Sequence, residues 1–155
     1  MYRLTVICLA LFLATAAATN VRECKNGQPF PLSVEVVNCA EMPCDVPKGS
    51  TVKMNVHFLG NRDNIKTITG VVHATTLGLT VPYPLPDEVS DVCRNLMHGA
   101  ICPIYETEDV VYNFNFFIDP TYPEVSVKVE LDLVDENKES VACFVTDVKV
   151  RRAIS

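Results

Sequence analysis

The chain has 155 residues, 48% of them hydrophobic, and its 19 acidic side chains outnumber 13 basic ones to give a formal net charge of −6. This length suits one ordinary domain that buries a core of its own. The acidic balance repels phosphate backbones and therefore disfavours nucleic acid as a partner.

The first segment has the pattern of a secretory signal peptide. Arg3 provides a positive start, Leu4 to Leu13 is an apolar run, and Ala16 to Ala18 supplies small residues for cleavage. The run is too short to cross a bilayer. We therefore predict a signal peptide at 1–18, one mature domain at 19–155, and secretion. An endosomal or lysosomal location stays open, but the chain has no N-x-[ST] sequon to support it through N-glycans.

Alternating apolar residues predict β-strands through the rest of the chain. The predicted inward-facing residues are Leu32, Val34 and Val36; Val52, Met54, Val56 and Phe58; Val110, Tyr112, Phe114, Phe116 and Ile118; and Val125, Val127, Val129, Leu131 and Leu133. A weaker run extends from Ala142 to Val150. No stretch after the leader has the period of an amphipathic helix. Several short strands around a common core predict an all-β sandwich of two antiparallel sheets.

Between the second and third of these runs, the chain has an apolar stretch with prolines at alternate positions. It extends from Leu77 to Pro86 and includes Pro82 and Pro84. Because proline lacks a backbone N–H, we expect the stretch to be extended and poorly paired. Its role is open among a flap over the core, a polyproline ligand for a partner domain, and one wall of an apolar cavity between the sheets.

Six cysteines follow the leader, at positions 24, 39, 44, 93, 102 and 143. An even set in a secreted protein is typical of disulfides, and no pair has the C-x2-C spacing of a zinc site. Many connectivities are open from sequence alone. Proximity favours Cys39 with Cys44 and Cys93 with Cys102, which leaves Cys24 for Cys143.

No residue pattern requires catalysis. The histidines, His57, His73 and His98, have no nucleophile elbow or H-E-x-x-H motif beside them, and no glycine-rich phosphate loop follows a strand. Acidic clusters at 87–91 and 106–109 are typical of solvated turns. We therefore expect no enzyme activity, no cofactor and no metal.

A combination of motifs extends over most of the chain. It comprises Val71-Val72-His73, the segment from Gly78 to Pro86, Cys102-Pro103-Ile104, Tyr122-Pro123 and the final Cys143. With these motifs, the chain resembles the Niemann-Pick type C2 proteins of the MD-2-related lipid-recognition (ML) family. The resemblance extends from Cys24 to Val150. The resemblance implies an immunoglobulin-like sandwich with an apolar cavity between its sheets. It also implies that the first cysteine pairs with the last and that two short loops are closed by disulfides.

The resemblance also implies a lipid site. Leu77 and Leu79 match an apolar rim that passes cargo to a membrane acceptor. Tyr83 takes the place of an aromatic gate residue, with a hydroxyl where vertebrate members have Phe, and Leu131 takes the place of Trp. The cargo is therefore not fixed as cholesterol. The implied ligand-binding residues are Val36, Tyr83, Ile118, Tyr122, Pro123 and Leu131.

Three hypotheses about function follow. The leading one is a secreted, monomeric, non-catalytic carrier that holds one sterol or other apolar lipid and delivers it to a membrane or acceptor protein. The second is an innate-immune module that binds microbial lipids such as lipopolysaccharide, which the acidic balance disfavours because lipid phosphates prefer basic rims. The third is a structural adhesion domain with a filled core.

Overall fold

The computed structural model describes residues 17–153, which form two β-sheets that face each other. The predicted signal peptide falls mostly on residues 1–16, outside the described residues. A short helix, α1 (Asp87–Ser90), precedes a 3-10 turn at Cys93–Asn95. No helix in the described part of the chain is long and apolar enough to cross a membrane. The strands are β1 (Arg22–Glu23), β2 (Ser33–Val36), β3 (Cys44–Pro47), β4 (Thr51–Leu59), β5 (Ile68–Thr76), β6 (Leu79–Tyr83), β7 (Asp109–Phe117), β8 (Ser126–Asp135) and β9 (Ser140–Arg151).

The larger sheet has six strands in the order β1-β9-β8-β5-β6, with β3 also paired to β9, and the smaller sheet has the order β2-β4-β7. All the strand pairs are antiparallel except β3 with β9, which places Cys44 opposite Val148. The short β1 pairs with the earlier part of the same edge of β9. The all-β architecture predicted from the alternation is confirmed, and the one parallel pair is an addition that the alternation did not indicate.

Strands β5 and β6 of the larger sheet differ from the sequence prediction, and the short β1 and β3 were not predicted either. β5 was not predicted, because Val71 and Val72 interrupt the alternation and Gly70 occupies a buried position without a side chain. We expected the proline stretch to be poorly paired, and this expectation is wrong. The stretch contributes β6, which pairs with β5 over five positions. Since β6 is at the edge of the sheet, only one of its sides needs backbone hydrogen bonds, and prolines are tolerated there.

The predicted inward direction of Leu32 is wrong. Its side chain is 53% exposed, and strand β2 begins only at the next residue, Ser33. Within β2 the alternation holds, because Val34 and Val36 are buried while Ser33 and Glu35 are half-buried.

Burial changes along the strands, from a filled end of the sandwich to a hollow end. Phe58, Tyr112, Leu133 and Phe144 are at most 1% exposed and fill one end. Toward the other end, inward side chains of the same strands stay only partly buried. They are Val52 on β4, Phe116 on β7, and Val127 and Val129 on β8.

Side-chain size accounts for this difference. Packed sheets lie about 10 Å apart. Aromatic rings and leucines fill that gap at one end, whereas the inward positions of β8 and β9 at the other end are mostly valines, such as Val127, Val148 and Val150. Valine side chains are too short to meet across the gap, so a space remains between the sheets.

Three disulfides fasten the chain around the sheets: Cys24–Cys143, Cys39–Cys44 and Cys93–Cys102. The first attaches β1 to the long β9. The second closes the loop between β2 in the smaller sheet and β3 in the larger sheet. These are the pairs that proximity favours and the resemblance implies.

The filled and hollow ends predict unequal effects of the same substitution on β4. Val56→Ala removes a side chain that is 0% exposed in the packed end, and we expect it to lower the free energy of unfolding by about 2 kcal/mol. Val52→Ala removes a side chain that borders existing space, and we expect a loss below about 1 kcal/mol. Urea denaturation measures both, and equal losses would contradict the hollow end.

Candidate functional site

A cavity of about 310 Å³ occupies the hollow end between the sheets. This volume is at the lower end of the range of about 300 to 1,000 Å³ that is usual for small-molecule sites. Strands of both sheets contribute to the wall. Nine of its residues are valines: Val36, Val46, Val52, Val72, Val125, Val127, Val129, Val148 and Val150.

All six residues that the resemblance assigns to a ligand site lie in the wall of this one cavity. Leu131 on β8 and Val36 on β2 are buried in its inner part, whereas Tyr83, Tyr122 and Pro123 keep more contact with solvent and mark the mouth. Ile118, just after β7, completes the set. Their contact with a ligand stays a prediction.

Most other wall residues were expected to be ordinary core. Val127, Val129 and Phe116 were predicted to face inward, which is correct, but they line a space. The available signal was the run of valines at alternate positions of β8. Alternation reports which face a side chain takes and not how far away the opposite sheet lies, so the pattern alone did not reveal the cavity.

The cavity wall is almost entirely apolar. Among the described lining residues none is charged, and only Tyr83, Tyr122 and Thr146 carry hydroxyl groups. Thr146 is 5% exposed, and its Oγ1 has no hydrogen-bond partner within residues 17–153. Such a wall favours an apolar ligand, because burial of apolar surface is favourable whereas an unpaired buried charge is costly.

Tyr83 at the end of β6 and Tyr122 in the connection between β7 and β8 are joined across the mouth by a hydrogen bond between their hydroxyls. Tyr83 ends β6 of the larger sheet, and its ring packs edge-on against Phe116 and Tyr122, with centroid distances of 5.7 and 6.5 Å. Tyr122 follows β7 of the smaller sheet. Its N–H donates to the carbonyl oxygen of Asp119 at 3.1 Å, and Thr121 donates to the Asp119 carboxylate. Aromatic groups therefore cover the mouth from both sheets.

The pKa values at the mouth keep Tyr83 neutral and Asp119 ionised. Burial raises the pKa of Tyr83 to about 12, and the hydrogen bond and charge of Tyr122 and the charge of Asp119 add to the rise. Hydrogen bonds from Thr121 lower the pKa of Asp119 below its ordinary value. Tyr83 is thus uncharged, beside a carboxylate, throughout the neutral range.

The two predicted rim residues lie outside the cavity, at the tip of the β5–β6 hairpin. Leu77 is 102% exposed and Leu79 is 66% exposed. Leu77 and Gly78 have φ values of 49° and 79°, a turn that Asn-Gly usually occupies and that strains a bulky residue. Register places Val81 opposite Ala74, a wall residue, so Val81 and Leu79 continue the apolar face from the cavity to the tip.

The histidines do not contribute to the described cavity wall. His57 contacts the carboxylate of Asp109 on the outer face of the smaller sheet. His73 Nδ1 lies 4.0 Å from Oε1 of Glu130 on the outer face of the larger sheet. The contact of His57 fits the expectation of solvated or locally hydrogen-bonded imidazoles, whereas Nδ1 of His73 is buried and has no hydrogen-bond partner within residues 17–153.

A two-sheet β-sandwich with an uncharged internal cavity defines a class of proteins that enclose apolar molecules between sheets. The ML domain family model matches residues 18–150, and the chain therefore belongs to this family. The resemblance drawn from the sequence motifs is confirmed.

Relatives align with nearly the whole chain. NPC intracellular cholesterol transporter 2 of Danio rerio is 28% identical over 151 residues, which cover 96% of this chain and 97% of that protein. The homolog a of that transporter in Drosophila melanogaster is 26% identical and covers 97% and 100% of the two chains. The ecdysteroid-regulated 16 kDa protein of Manduca sexta is 26% identical, with 93% and 97% covered.

Solved structures show the same fold. A Niemann-Pick type C2 protein from the Japanese carpenter ant superposes with a TM-score of 0.74 at 19% identity, covering 85% of this chain and 99% of that one. Chicken MD-1 complexed with lipid IVa gives a TM-score of 0.51 at 18% identity, with 82% and 87% covered. The predicted immunoglobulin-like sandwich is confirmed.

The raised pKa of Tyr83 predicts an alkaline effect on stability. Unfolded tyrosine loses its proton near pH 10, so the Tyr83 contribution to the free energy of unfolding is complete below about pH 10 and is lost as the pH rises through about 12. Tyr83→Phe should remove this loss and one late step of the tyrosinate absorbance titration. Tyr105→Phe, at an exposed tyrosine, serves as the control and should leave that step in place.

Proposed function

We propose that the protein is a secreted, non-catalytic carrier that holds one sterol or similar apolar lipid between its sheets and delivers it to a membrane or an acceptor protein. The observation that carries the proposal is the uncharged cavity of about 310 Å³ at the hollow end. Relatives whose name describes cholesterol transport, aligned over nearly the whole chain, support it. The residues proposed to contact the ligand are Val36, Tyr83, Ile118, Tyr122, Pro123 and Leu131.

The energetics of such a cavity suit reversible transport. Removal of roughly 400 Å² of apolar ligand surface from water, at about 25 cal/mol per Å², contributes about 10 kcal/mol. Lost translational and rotational freedom offsets at least about 4 kcal/mol of this. The remainder, at most about 6 kcal/mol, corresponds to a dissociation constant of tens of micromolar or weaker, so a membrane competes effectively for the same ligand.

The hairpin tip is the proposed contact with the acceptor. An exposed leucine at positive φ combines backbone strain with unfavourable contact between apolar surface and water. Insertion of Leu77 and Leu79 into a bilayer or an apolar groove removes the unfavourable contact of their side chains with water. The Thr76 hydroxyl donates to the carbonyl oxygen of Ser126 at 3.2 Å, which attaches the hairpin to β8 beside the cavity.

Secretion is supported by the leader pattern and by disulfides, which persist in oxidising compartments. A single copy of the chain suffices for the proposed site, and we propose that the carrier is a monomer.

A second candidate function is recognition of microbial lipids. The likeness to chicken MD-1 complexed with lipid IVa favours it. The absence of a charged residue from the described cavity wall disfavours it, because lipid phosphates need cations. Competition between lipopolysaccharide and a fluorescent sterol under matched conditions distinguishes the two functions.

Filling the cavity tests the binding site. Ala74→Trp places an indole in the space that the ligand needs, and we expect binding of a fluorescent sterol to weaken at least about tenfold. Thr75→Trp is the matched control, because Thr75 contacts Thr80 on the opposite face of the sheet. Equal sterol affinity of both folded variants would contradict the cavity assignment.

Changing the tip tests delivery separately from binding. Leu77→Ser should slow sterol transfer to vesicles several-fold while the dissociation constant stays unchanged, since Leu77 does not line the cavity. Ile101→Ser, at a 74% exposed isoleucine in the Cys93–Cys102 loop, is the control and should transfer at the wild-type rate. An equal effect of both substitutions would refute a specific rim.

A further inference from the structure

One hydroxyl in the described cavity wall has no hydrogen bond. Thr146 on β9 is 5% exposed, and its Oγ1 has no partner within residues 17–153. Its inward neighbours on the strand, Phe144 and Val148, are apolar and also line the cavity. A hydroxyl buried without a hydrogen bond costs free energy, and a ligand atom that bonds to it removes that cost.

Thr146 lies at the inner end of the cavity. In the larger sheet, β9 is three positions from β6, whose Tyr83 marks the mouth. Since neighbouring strands lie about 4.8 Å apart, these two strands are about 14 Å apart. Along β9, the next inward residue toward the filled end is Phe144, which is 0% exposed. A ligand group that reaches Thr146 is therefore deep in the cavity.

Rotation about one bond brings the hydroxyl to a ligand. Thr146 pairs with Val129, another wall residue, and alternates with Phe144 and Val148, so its Cβ projects toward the cavity. Oγ1 and the methyl group share that Cβ, and a rotation of about 120° about χ1 moves Oγ1 between staggered positions. The rotation breaks no hydrogen bond of Oγ1, because Oγ1 has none within the described residues.

The surroundings of Thr146 determine which chemical group binds there. Within residues 17–153 the wall has no charged residue, so an ionised group at the inner end would lack a counter-charge. A neutral hydroxyl or carbonyl oxygen suits the site, because the threonine hydroxyl both donates and accepts. A hydrocarbon end leaves Oγ1 without a partner.

We propose that Thr146 is a specificity-determining residue for the inner end of the ligand, and that the carrier selects lipids with an uncharged oxygen at each end, one of which bonds to Thr146. The inference rests on the proposed carrier function and narrows its ligand class. A sterol with a hydroxyl at the end of its side chain belongs to this class, as does a long-chain diol. Cholesterol, with oxygen at one end only, does not.

The test compares wild type with Thr146→Val, which removes the hydroxyl and keeps the shape of the side chain. Dissociation constants of the full-length protein are measured by competition with a fluorescent sterol. The ligands are cholesterol, its derivative with a second hydroxyl at the end of the side chain, and its derivative with that hydroxyl in the middle of the ring system. Dodecanol and the dodecane diol with a hydroxyl at each end repeat the comparison on a linear chain.

For each ligand, the dissociation constant of Thr146→Val divided by that of wild type cancels the solubility of the ligand itself. We expect this ratio to be at least about five for the side-chain hydroxyl sterol and the diol, because their inner hydroxyl is left unpaired. The ratio for cholesterol and the ring derivative should stay within about twofold of unity. Thr146→Ser, which keeps a hydroxyl, should retain wild-type selectivity. Thr69→Val, at an exposed threonine of β5, is the control and should behave as wild type.

Unfolding in urea provides a second measurement. Because Oγ1 of Thr146 has no partner in the described structure, Thr146→Val should leave the urea midpoint unchanged or raise it. The matched control is Thr19→Val, at a threonine that is 4% exposed. The Thr19 hydroxyl donates to the carbonyl oxygen of Cys39 and accepts from the N–H of Val36, so its removal should lower the midpoint.

Three results would overturn the inference. They are equal ratios for cholesterol and the side-chain hydroxyl sterol, failure of wild type to bind either two-ended lipid while it binds cholesterol, and a urea midpoint lowered as much by Thr146→Val as by Thr19→Val. All three leave the carrier function standing, because lipid binding by wild type does not depend on them. If wild type binds no member of either series, the carrier function itself fails, and the selection at Thr146 fails with it.

Discussion

The separation of the two sheets at one end is the constraint on which the cavity, its mouth and its chemistry depend. The rings of Phe58 and Tyr112 fill the other end. Beyond Leu133 and Phe144, strands β8 and β9 continue mostly with inward valines, which keep the inward direction but not the length needed to close the gap. The cavity therefore results from side-chain size at regular strand positions, and no interruption of the strands is required.

Strand β6 connects three features that the proposed function needs. Tyr83 at one end of the strand covers the mouth, Val81 continues the apolar face, and Leu79 leads to the exposed tip at Leu77. Because β6 is an edge strand that bonds only to β5, its movement breaks fewer backbone hydrogen bonds than the movement of a strand paired on both sides. The mouth residue and the exposed tip thus belong to one element.

Apolar and polar groups lie in different parts of the cavity wall. Valines and aromatic rings deep in the wall stabilise any apolar body of suitable size, because the hydrophobic effect has no direction. The hydroxyls of Tyr83 and Tyr122, by contrast, form a directional hydrogen bond with each other at the mouth. The substitution of Tyr for Phe at residue 83, relative to the vertebrate pattern that the sequence resembles, places a second hydroxyl beside that of Tyr122.

The sequence by itself determined the strand-forming segments with clean alternation, such as β4, β7 and β8, because alternation depends on residues close together in the chain. It also contained the motif combination that identifies the family. It did not reveal β5, whose adjacent valines hide the period, or the pairing of β6, which depends on a sheet edge. Only the tertiary structure decided that the valines of β8 line a space and that Tyr83 meets Tyr122 across 39 residues of chain. The physical reason is that a void and a bridge are properties of the distance between two sheets, and that distance is set by side chains from strands far apart in sequence.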